Sequence, residues 1–373
     1  MIKARKHAST PLMRRSCRVY LNDLNKGKAK ILCEFLRLCH DVIQYFIDLF
    51  WQRRDFSASL ADLETVHKGR DRFKITTRLA QALAKQAKEC VRSAHSHKRH
   101  KPQLRHHTVT LYYHFVKIEP FKGRGFDLAV CLIGSGAPRI TIPIHSTKLI
   151  NRRLAEGWKH SQTLRLGRDG KRLWIDLIFE KPRPKPKEAG NIVGMDSNYK
   201  NGFIFSDEKM VGQDIYPRVK SFFKRQKHTH AEIKSRVGCA LKQVDFSGIK
   251  ALCIEDLRYV KHGKSGTFSR ALNRRLSHWL YAYVVDWLSR CCEEEGVRLE
   301  RKSPAYTSQY CRICHRWDRR SRVGDEFLCV HCGYSEHADL NAAKNLALLG
   351  VAGVYGLRSL QNPKPCSASQ SFG

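Results

Sequence analysis

Apolar side chains recur at three- and four-residue steps over residues 26 to 53, where Ile31, Phe35, Leu38, Val42, Tyr45, Phe46 and Leu49 define one face of a long amphipathic helix. A second helical run covers about residues 75 to 94, with Leu79, Leu83, Ala87 and Val91 on one face and Lys and Arg on the other. The basic stretch SAHSHKRHKPQLRHH that follows has no period and reads as a phosphate-contacting linker or a solvated loop. From Thr108 the period shortens to two. The runs VTLYYHFVKI, FDLAVCLI, RITIPI, QTLRLG and KRLWIDLIFE, separated by Gly, Pro and Asp turns, predict an antiparallel sheet or small barrel. KPRPKPKEAG, residues 181 to 190, breaks both periods and reads as an extended linker at a domain boundary.

Beyond the linker, Ile192 and Val193 lead into Asp196, and Gly202 to Ser206 reads as the second strand of a hairpin. Ala251 to Ile254 form a short buried strand ending at Glu255 and Asp256. Over residues 270 to 295, Leu272, Leu276, Trp279, Tyr283, Val284, Trp287, Leu288 and Cys291 lie along one helical stripe, with Arg274, Arg275 and His278 on other faces. That stripe packs as a core face or stacks bases if its rings are exposed. A further helix is predicted to begin near Asn341, carrying Ala342, Ala343, Leu346, Ala347 and Leu349, with Asp339 just ahead of it. The polar, Pro- and Ser-containing segment after Gly350 reads as a flexible tail.

The chain has 373 residues, enough for two or three domains, and its 69 Lys plus Arg against 34 Asp plus Glu give a formal charge of +35. Such a field repels itself unless a polyanion offsets it, which makes nucleic acid the leading partner. No apolar run approaches 18 residues, and no apolar segment follows the basic N-terminus, so neither a membrane span nor a secretory signal is expected.

Four of the 14 cysteines form two CxxC pairs, Cys311/Cys314 and Cys329/Cys332, the spacing of a zinc ribbon with four thiolate ligands. The ten others, among them Cys33, Cys39, Cys253, Cys291 and Cys292, sit in apolar patterns and read as core residues in a reducing compartment. Between the pairs stands a basic loop. Arg316, Arg319, Arg320 and Arg322 in it are candidate nucleic-acid contacts, the alternative being a charged surface loop.

Taken singly, Asp196, Glu255 and Asp339 are ordinary turn or cap residues. Delivered together to one end of a sheet, they form a cluster that would be electrostatically costly without divalent cations. Mg²⁺ or Mn²⁺ takes carboxylate oxygens, and a pair of such ions can activate water and stabilise the leaving oxygen of a phosphodiester. Glu255 is the expected ligand of the adjacent pair, with Asp256 a cap or supporting residue.

The blocks GMDSNYKNGFIFSD, ALCIEDL and the ribbon followed by HADLNAAKNLA resemble the split RuvC nuclease domain of the transposon-encoded TnpB proteins and the related miniature type V CRISPR (Cas12-like) effectors. The last block is the most specific: CxxC…CxxCG precedes D-x-N-A-A-x-N, and Thr307-Ser308-Gln309 matches the usual lead-in. Two positions depart from the pattern. Asn198 stands where the family places glycine, a position Asn can fill in left-handed backbone, and the first knuckle ends in His315 rather than glycine.

The resemblance implies a mixed α/β fold: an RNase H-like (RuvC) nuclease domain with an inserted zinc ribbon, preceded by a helical segment and an antiparallel β-barrel-like wedge domain. The implied domains are a wedge from residues 1–20 and 108–185, a helical recognition domain 21–107, nuclease segments 186–310 and 335–350, the ribbon 311–334 and a tail 351–373. It implies an RNA-guided DNA endonuclease with Asp196, Glu255 and Asp339 as catalytic acids holding Mg²⁺ or Mn²⁺, and Cys311, Cys314, Cys329 and Cys332 holding structural Zn²⁺. Guide RNA and target DNA are the implied partners, acting as monomer or homodimer inside a prokaryote or its phage. Base pairing would supply specificity, and hydrolysis would leave a 3′ hydroxyl and a 5′ phosphate. A guided DNA binder or repressor with weak or no cleavage, and a guide-independent factor in transposition or recombination, are the alternatives.

Overall fold

The computed structural model describes residues 11–123, 125–170, 172–198, 201–215, 229–258 and 280–361. They belong to two compact units, Met1–Pro182 and Arg183–Gly373.

In the first unit, strand β1 (Leu12–Tyr20) precedes helices α1 (Lys26–Gln52), α2 (Leu63–Phe73) and α3 (Thr77–Ser96). Strands β2 (Thr108–Leu111), β3 (Val116–Pro120), β4 (Leu128–Leu132) and β5 (Ile140–Ile144), helix α4 (Lys148–Ala155), and strands β6 (Lys159–Asp169) and β7 (Arg172–Pro182) complete it. The alternating runs build two antiparallel sheets with free ends, ordered β1-β7-β6-β2 and β3-β4-β5. The run at 108–118 divides into β2 and β3 because Tyr112 to Phe115 make a turn, closed by Phe115 N–H donating to the Tyr112 carbonyl. Strand β7 is buried continuously from Leu173 to Leu177 and again at Phe179, since it lies between β1 and β6. Its Asp176 is buried with a partner: Arg18 of β1 donates to both carboxylate oxygens, at 2.7 and 3.0 Å.

Helix α1 begins at Asn25, whose side chain accepts from Lys28 N–H, one of the donors a helix N-terminus leaves unpaired. Its buried stripe runs Leu32, Phe35, Leu36, Cys39, Val42, Ile43, Phe46, Ile47 and Phe50, rotated from the expected one. Ile31 is 44% exposed. Of the expected α3 face, Leu79, Leu83, Ala87 and Val91 are fully buried. Helix α3 also continues into the basic stretch that sequence reads as linker, to Ser96. Helices α2 and α4 leave no apolar period in the sequence because each buries few residues: Thr65, Val66 and Gly69 in α2, Ile150 in α4.

The second unit opens with the hairpin β8 (Asn191–Asn198) and β9 (Gly202–Phe205), followed by β10 (Met210–Val211), α5 (Thr229–Leu241) and β11 (Ile249–Glu255). Helix α6 (Tyr281–Glu295), β12 (Arg298–Lys302), the short strands β13 (Arg322–Val323), β14 (Glu326–Leu328) and β15 (Ser335–His337), and helix α7 (Ala338–Val351) follow. The main sheet is ordered β10-β9-β8-β11-β12, antiparallel from β10 to β8 and parallel from β8 to β12. Of the stripe predicted over 270 to 295, Val284 and Leu288 are buried in α6, while Tyr283, Trp287 and Cys291 are partly buried against the same core. Leu272, Arg274, Arg275, Leu276, His278 and Trp279 lie outside the described residues.

Gly194 of β8 explains how α7 reaches this sheet. A Cβ there would sit 1.9 Å from the Ala343 carbonyl oxygen and 2.6 Å from the Ala347 nitrogen, so glycine and two alanines let strand and helix backbones touch. The expected tail is partly folded: Leu357, 3% exposed, packs with Tyr310 and Leu349, and Ser303 N–H donates to the Tyr355 carbonyl. The leucines inside that polar segment are what bury it; residues 362–373 lie outside the described residues. No helix among the described residues is long and apolar enough to cross a membrane.

Candidate active site and metal centre

Three carboxylates from three elements lie near enough for Glu255 and Asp339 to act electrostatically on Asp196. Asp196 lies near the end of β8 opposite Ile204 of β9, Glu255 ends β11, and Asp339 lies in the first turn of α7. Helix α7 starts earlier than its apolar pattern suggests, because His337 is its cap and accepts from Asp339 N–H through the ring nitrogen at 3.3 Å. Asp339 is therefore inside the helix rather than ahead of it, and only 2% exposed.

Burial raises the Asp196 carboxyl well above the ordinary range, and the nearby charges of Glu255 and Asp339 push it further. Glu255 is pushed up to about 7, chiefly by burial, against the Thr307 hydroxyl, which donates to its Oε1 at 3.0 Å, and against the Arg322 charge. The adjacent Asp256 turns elsewhere. Its carboxylate takes Arg258 Nε at 2.8 Å and Nη2 at 2.6 Å, and that pairing holds its proton affinity below the ordinary value.

Asp339 is held by nitrogen donors. Asn198 Nδ2 and Asn201 Nδ2 both lie 2.8 Å from Oδ2, and Arg322 Nη2 lies 3.4 Å from Oδ1. Asn198 thus does not occupy a left-handed turn position. It is paired in β8 opposite Gly202, and Gly202 carries the positive φ of 79° instead. Arg322 is likewise engaged with the acid cluster. Arg320 is bonded to Asp318 at 2.9 Å through Nη2, and Arg316 and Arg319 are exposed.

Sequence reasoning gave no role to Asn201, Asn341 or Asn345. The last two are fully buried in α7 and donate to the backbone of the turn carrying Thr307: Asn341 Nδ2 to Tyr310 O at 3.0 Å, Asn345 Nδ2 to Thr307 O at 2.8 Å. Their spacing of four, one helical turn, is the signal that one face serves a common partner. The turn, helix and sheet that position Glu255 and Asp339 are so joined by buried hydrogen bonds.

The four ribbon sulfurs lie within 4.8 Å of one another, with Cys311 and Cys332 Sγ 3.6 Å apart and Cys314 and Cys329 Sγ 3.5 Å apart. A tetrahedral zinc with Zn–S bonds of about 2.3 Å separates its sulfurs by roughly 3.8 Å, so the cluster fits such an ion. Burial would raise the Cys329 thiol, but backbone N–H groups of His331 and Cys332 bring it down to about 7, favouring the thiolate a metal needs. Both knuckles close alike. His315 N–H donates to the Cys311 carbonyl and Gly333 N–H to the Cys329 carbonyl, each at 2.9 Å, with positive φ of 59° and 74°. His315 fills a glycine-type conformation, with its ring nitrogen 3.1 Å from the Tyr310 hydroxyl.

Residues 281–346 match the family model described as Cas12f1-like, TNB domain. Over 80 residues the chain is 38% identical to the CRISPR-associated endodeoxyribonuclease Cas12f1 of Sulfoacidibacillus thermotolerans, a match covering 21% of this chain and 19% of that protein. A TnpB-like protein of Aquifex aeolicus (strain VF5) is 28% identical over 173 residues, covering 46% of this chain and 50% of the relative. The chain thus matches half or less of the length of these curated relatives. A Cas12f1–sgRNA–target DNA complex solved by cryo-electron microscopy aligns over 88% of this chain and 83% of its own, with a TM-score of 0.54 at 12% identity, a likeness of fold.

Proposed function

We propose that the chain, which resembles TnpB- and Cas12f-like proteins in sequence, is an RNA-guided DNA endonuclease of that family working through Asp196, Glu255 and Asp339. The observation that carries the reading is the electrostatic coupling of these three acids, Asp196 and Asp339 buried and Glu255 half-buried, with Asp196 and Glu255 held above their ordinary proton affinity by burial and mutual repulsion. Buried carboxylates left in that state fit a site for hard divalent cations, which would relieve the repulsion. Strand order and directions in the main sheet, two parallel additions beside a β8–β9–β10 meander, support an RNase H-like (RuvC) assignment. Pairing of β1 with β7 supports one wedge domain from residues 1–20 and 108–185, and the 21–107 helices are its recognition partner in this reading.

When bound, Mg²⁺ or Mn²⁺ would supply an activated water and stabilise the leaving oxygen. The chain's residues do the rest. Thr307 orients Glu255, Asn198 and Asn201 orient Asp339, and Arg322 places a cation beside the acids where the phosphodiester gathers negative charge. Water attacks phosphorus, the bond to the 3′ oxygen breaks, and the products carry a 3′ hydroxyl and a 5′ phosphate.

The test is sequencing of RNA that co-purifies with the full chain, then Mg²⁺-dependent cleavage of matched DNA by wild type and Asp196→Ala. A discrete RNA and cleavage abolished by the substitution support the reading. A discrete RNA with binding but no cutting points to a guided repressor, and no discrete RNA to a guide-independent DNA-binding factor.

A further inference from the structure

Trp317, just after the first zinc knuckle, is 46% exposed, although its backbone is held in a bridge. The residues on either side are pinned: Cys311 N–H donates to Arg316 O at 2.8 Å and Asp318 N–H to Gln309 O at 3.3 Å, and Trp317 itself bridges Tyr310. One side of the indole rests on Tyr306, ring centroids 4.5 Å apart at 38°. Tyr306 is braced in turn by Arg358, whose guanidinium lies 5.4 Å from the ring and donates to the hydroxyl at 2.9 Å. A large aromatic ring is thus fixed in place by its neighbours while nearly half of the residue stays open to solvent.

Its surroundings favour one occupant. Arg316 and Arg319 are exposed beside it, so the region attracts a polyanion, while the indole itself offers a π-face, which no phosphate needs and every nucleobase can use. The site is also tied to the acids. Tyr306 directly precedes Thr307, the residue that donates to Glu255, and carries a positive φ of 68°.

We propose that the free face of Trp317 is a stacking platform for an unpaired nucleobase, the Arg358–Tyr306–Trp317 ladder fixing a single DNA strand so that its backbone is presented to Asp196, Glu255 and Asp339. The proposal rests on the nuclease reading above. Trp317 is a positioning residue in it, since its contact is with a base away from the reacting phosphate.

The experiment uses the full-length protein and a single-stranded oligodeoxynucleotide carrying 2-aminopurine, with Ca²⁺ in place of Mg²⁺, across a series of salt concentrations. Stacking on an indole quenches the probe. Wild type and Trp317→Tyr, which keeps a π-face, quench it; Trp317→Ala loses the quench and binds roughly fivefold to a hundredfold more weakly. The slope of log affinity against log salt stays unchanged in Trp317→Ala and becomes shallower in Arg316→Ala/Arg319→Ala, because phosphate contacts release counterions and stacking does not. Equal quenching by wild type and Trp317→Ala, or no quenching by wild type, overturns the platform. Mg²⁺-dependent cutting sensitive to Glu255→Gln is scored separately. Cutting without a Trp317-dependent quench leaves the nuclease and removes the platform, and a Trp317-dependent quench without cutting does the reverse.

Discussion

Asn198 at the end of β8 donates its amide to Asp339 in the first turn of α7 across 2.8 Å, joining residues 141 positions apart in sequence. With Asn201 donating to the same oxygen, Asp339 Oδ2 faces two amides and its Oδ1 faces Arg322. An amide donor to a carboxylate is a charge-assisted bond, contributing about 1.5 to 3 kcal/mol. Replacing Asn198 by Ala, or by the glycine of the family pattern, is expected to lower Mg²⁺-dependent cleavage by about tenfold to a hundredfold while leaving zinc content unchanged. Single-turnover cleavage at saturating Mg²⁺ measures it, and a wild-type rate in Asn198→Gly would show that the amide does not orient the acid.

Thr307 offers a second handle. Its hydroxyl, on a buried side chain, donates to the half-buried Glu255. Thr307→Val keeps the shape and removes the donor. Glu255 then retains its proton to still higher pH, and the metal-free protein at pH 8 is expected to lose about 1 to 3 kcal/mol, the cost of leaving a buried charged group without a partner. Urea unfolding of the metal-free protein at pH 8 reads this directly; an unchanged midpoint would mean that the hydroxyl is not supporting the carboxylate.

The proton affinity of Glu255 has a consequence for stability against pH. In the unfolded chain it titrates near its ordinary 4.5, in the fold near 7, so between those values the folded state binds the extra proton. Stability from this group is complete below about pH 4.5 and is lost as pH rises through 7, by on the order of 3 kcal/mol. Asp196 shifts in the same direction and adds to the effect. Melting curves in EDTA-free, Mg²⁺-free buffer should therefore show a falling midpoint from pH 5 to 8. Saturating Mg²⁺ should flatten the profile, because cation binding favours the ionised acids.

The four-cysteine cluster was legible because thiols at fixed spacing mark it locally, and the positions of Asp196 and Glu255 near their strand ends because each follows an apolar run. What sequence reading could not supply was the partner of each group. Asn198 is an unexpected residue where the family pattern has glycine until its amide is seen to donate to Asp339, and Arg322 is one arginine of a basic loop until β13 turns it toward the same acid. Long-range pairing has no periodic signature. The same limit separates the α1 stripe, displaced because neighbouring elements decide which flank of a broad apolar face is covered, from α3, whose narrower face reads correctly. Helices α2 and α4 bury too few side chains to mark a period at all.

Zinc removal should reach the acids through the ribbon. Strand β15 leads directly into α7, and Arg322, at the start of β13, touches Asp339, so the ribbon holds both the start of the Asp339 helix and its cation. We expect close to one zinc per chain by elemental analysis. A strong chelator should lower the melting midpoint and abolish cleavage even when Mg²⁺ is restored, with recovery on adding Zn²⁺. Cys329→Ser is expected to act likewise. Full cleavage after verified zinc loss would separate the ribbon from the catalytic geometry.

Gly194 sets the distance between sheet and helix, and the sharpest packing prediction follows from it. A methyl group there would overlap the Ala343 carbonyl at 1.9 Å, backbone that no rotamer change can move. Gly194→Ala must push α7 off β8 or unfold the contact, and ordinary overpacking already costs about 1 to 3 kcal/mol; a clash with backbone belongs at or beyond the upper end. Since Asp196 follows on β8 and Asp339 begins α7, the same displacement separates two of the three acids. Cleavage should therefore fall at temperatures well below the lowered melting midpoint. In contrast, Gly324→Ala in the ribbon, where a Cβ meets nothing within 4 Å but φ is 62°, should cost about 1 kcal/mol of backbone strain and leave the rate per folded molecule unchanged. Comparing the two variants by melting and single-turnover cleavage distinguishes the helix–sheet spacing from general loss of stability: equal rates per folded molecule in both would show that the acids tolerate the displacement.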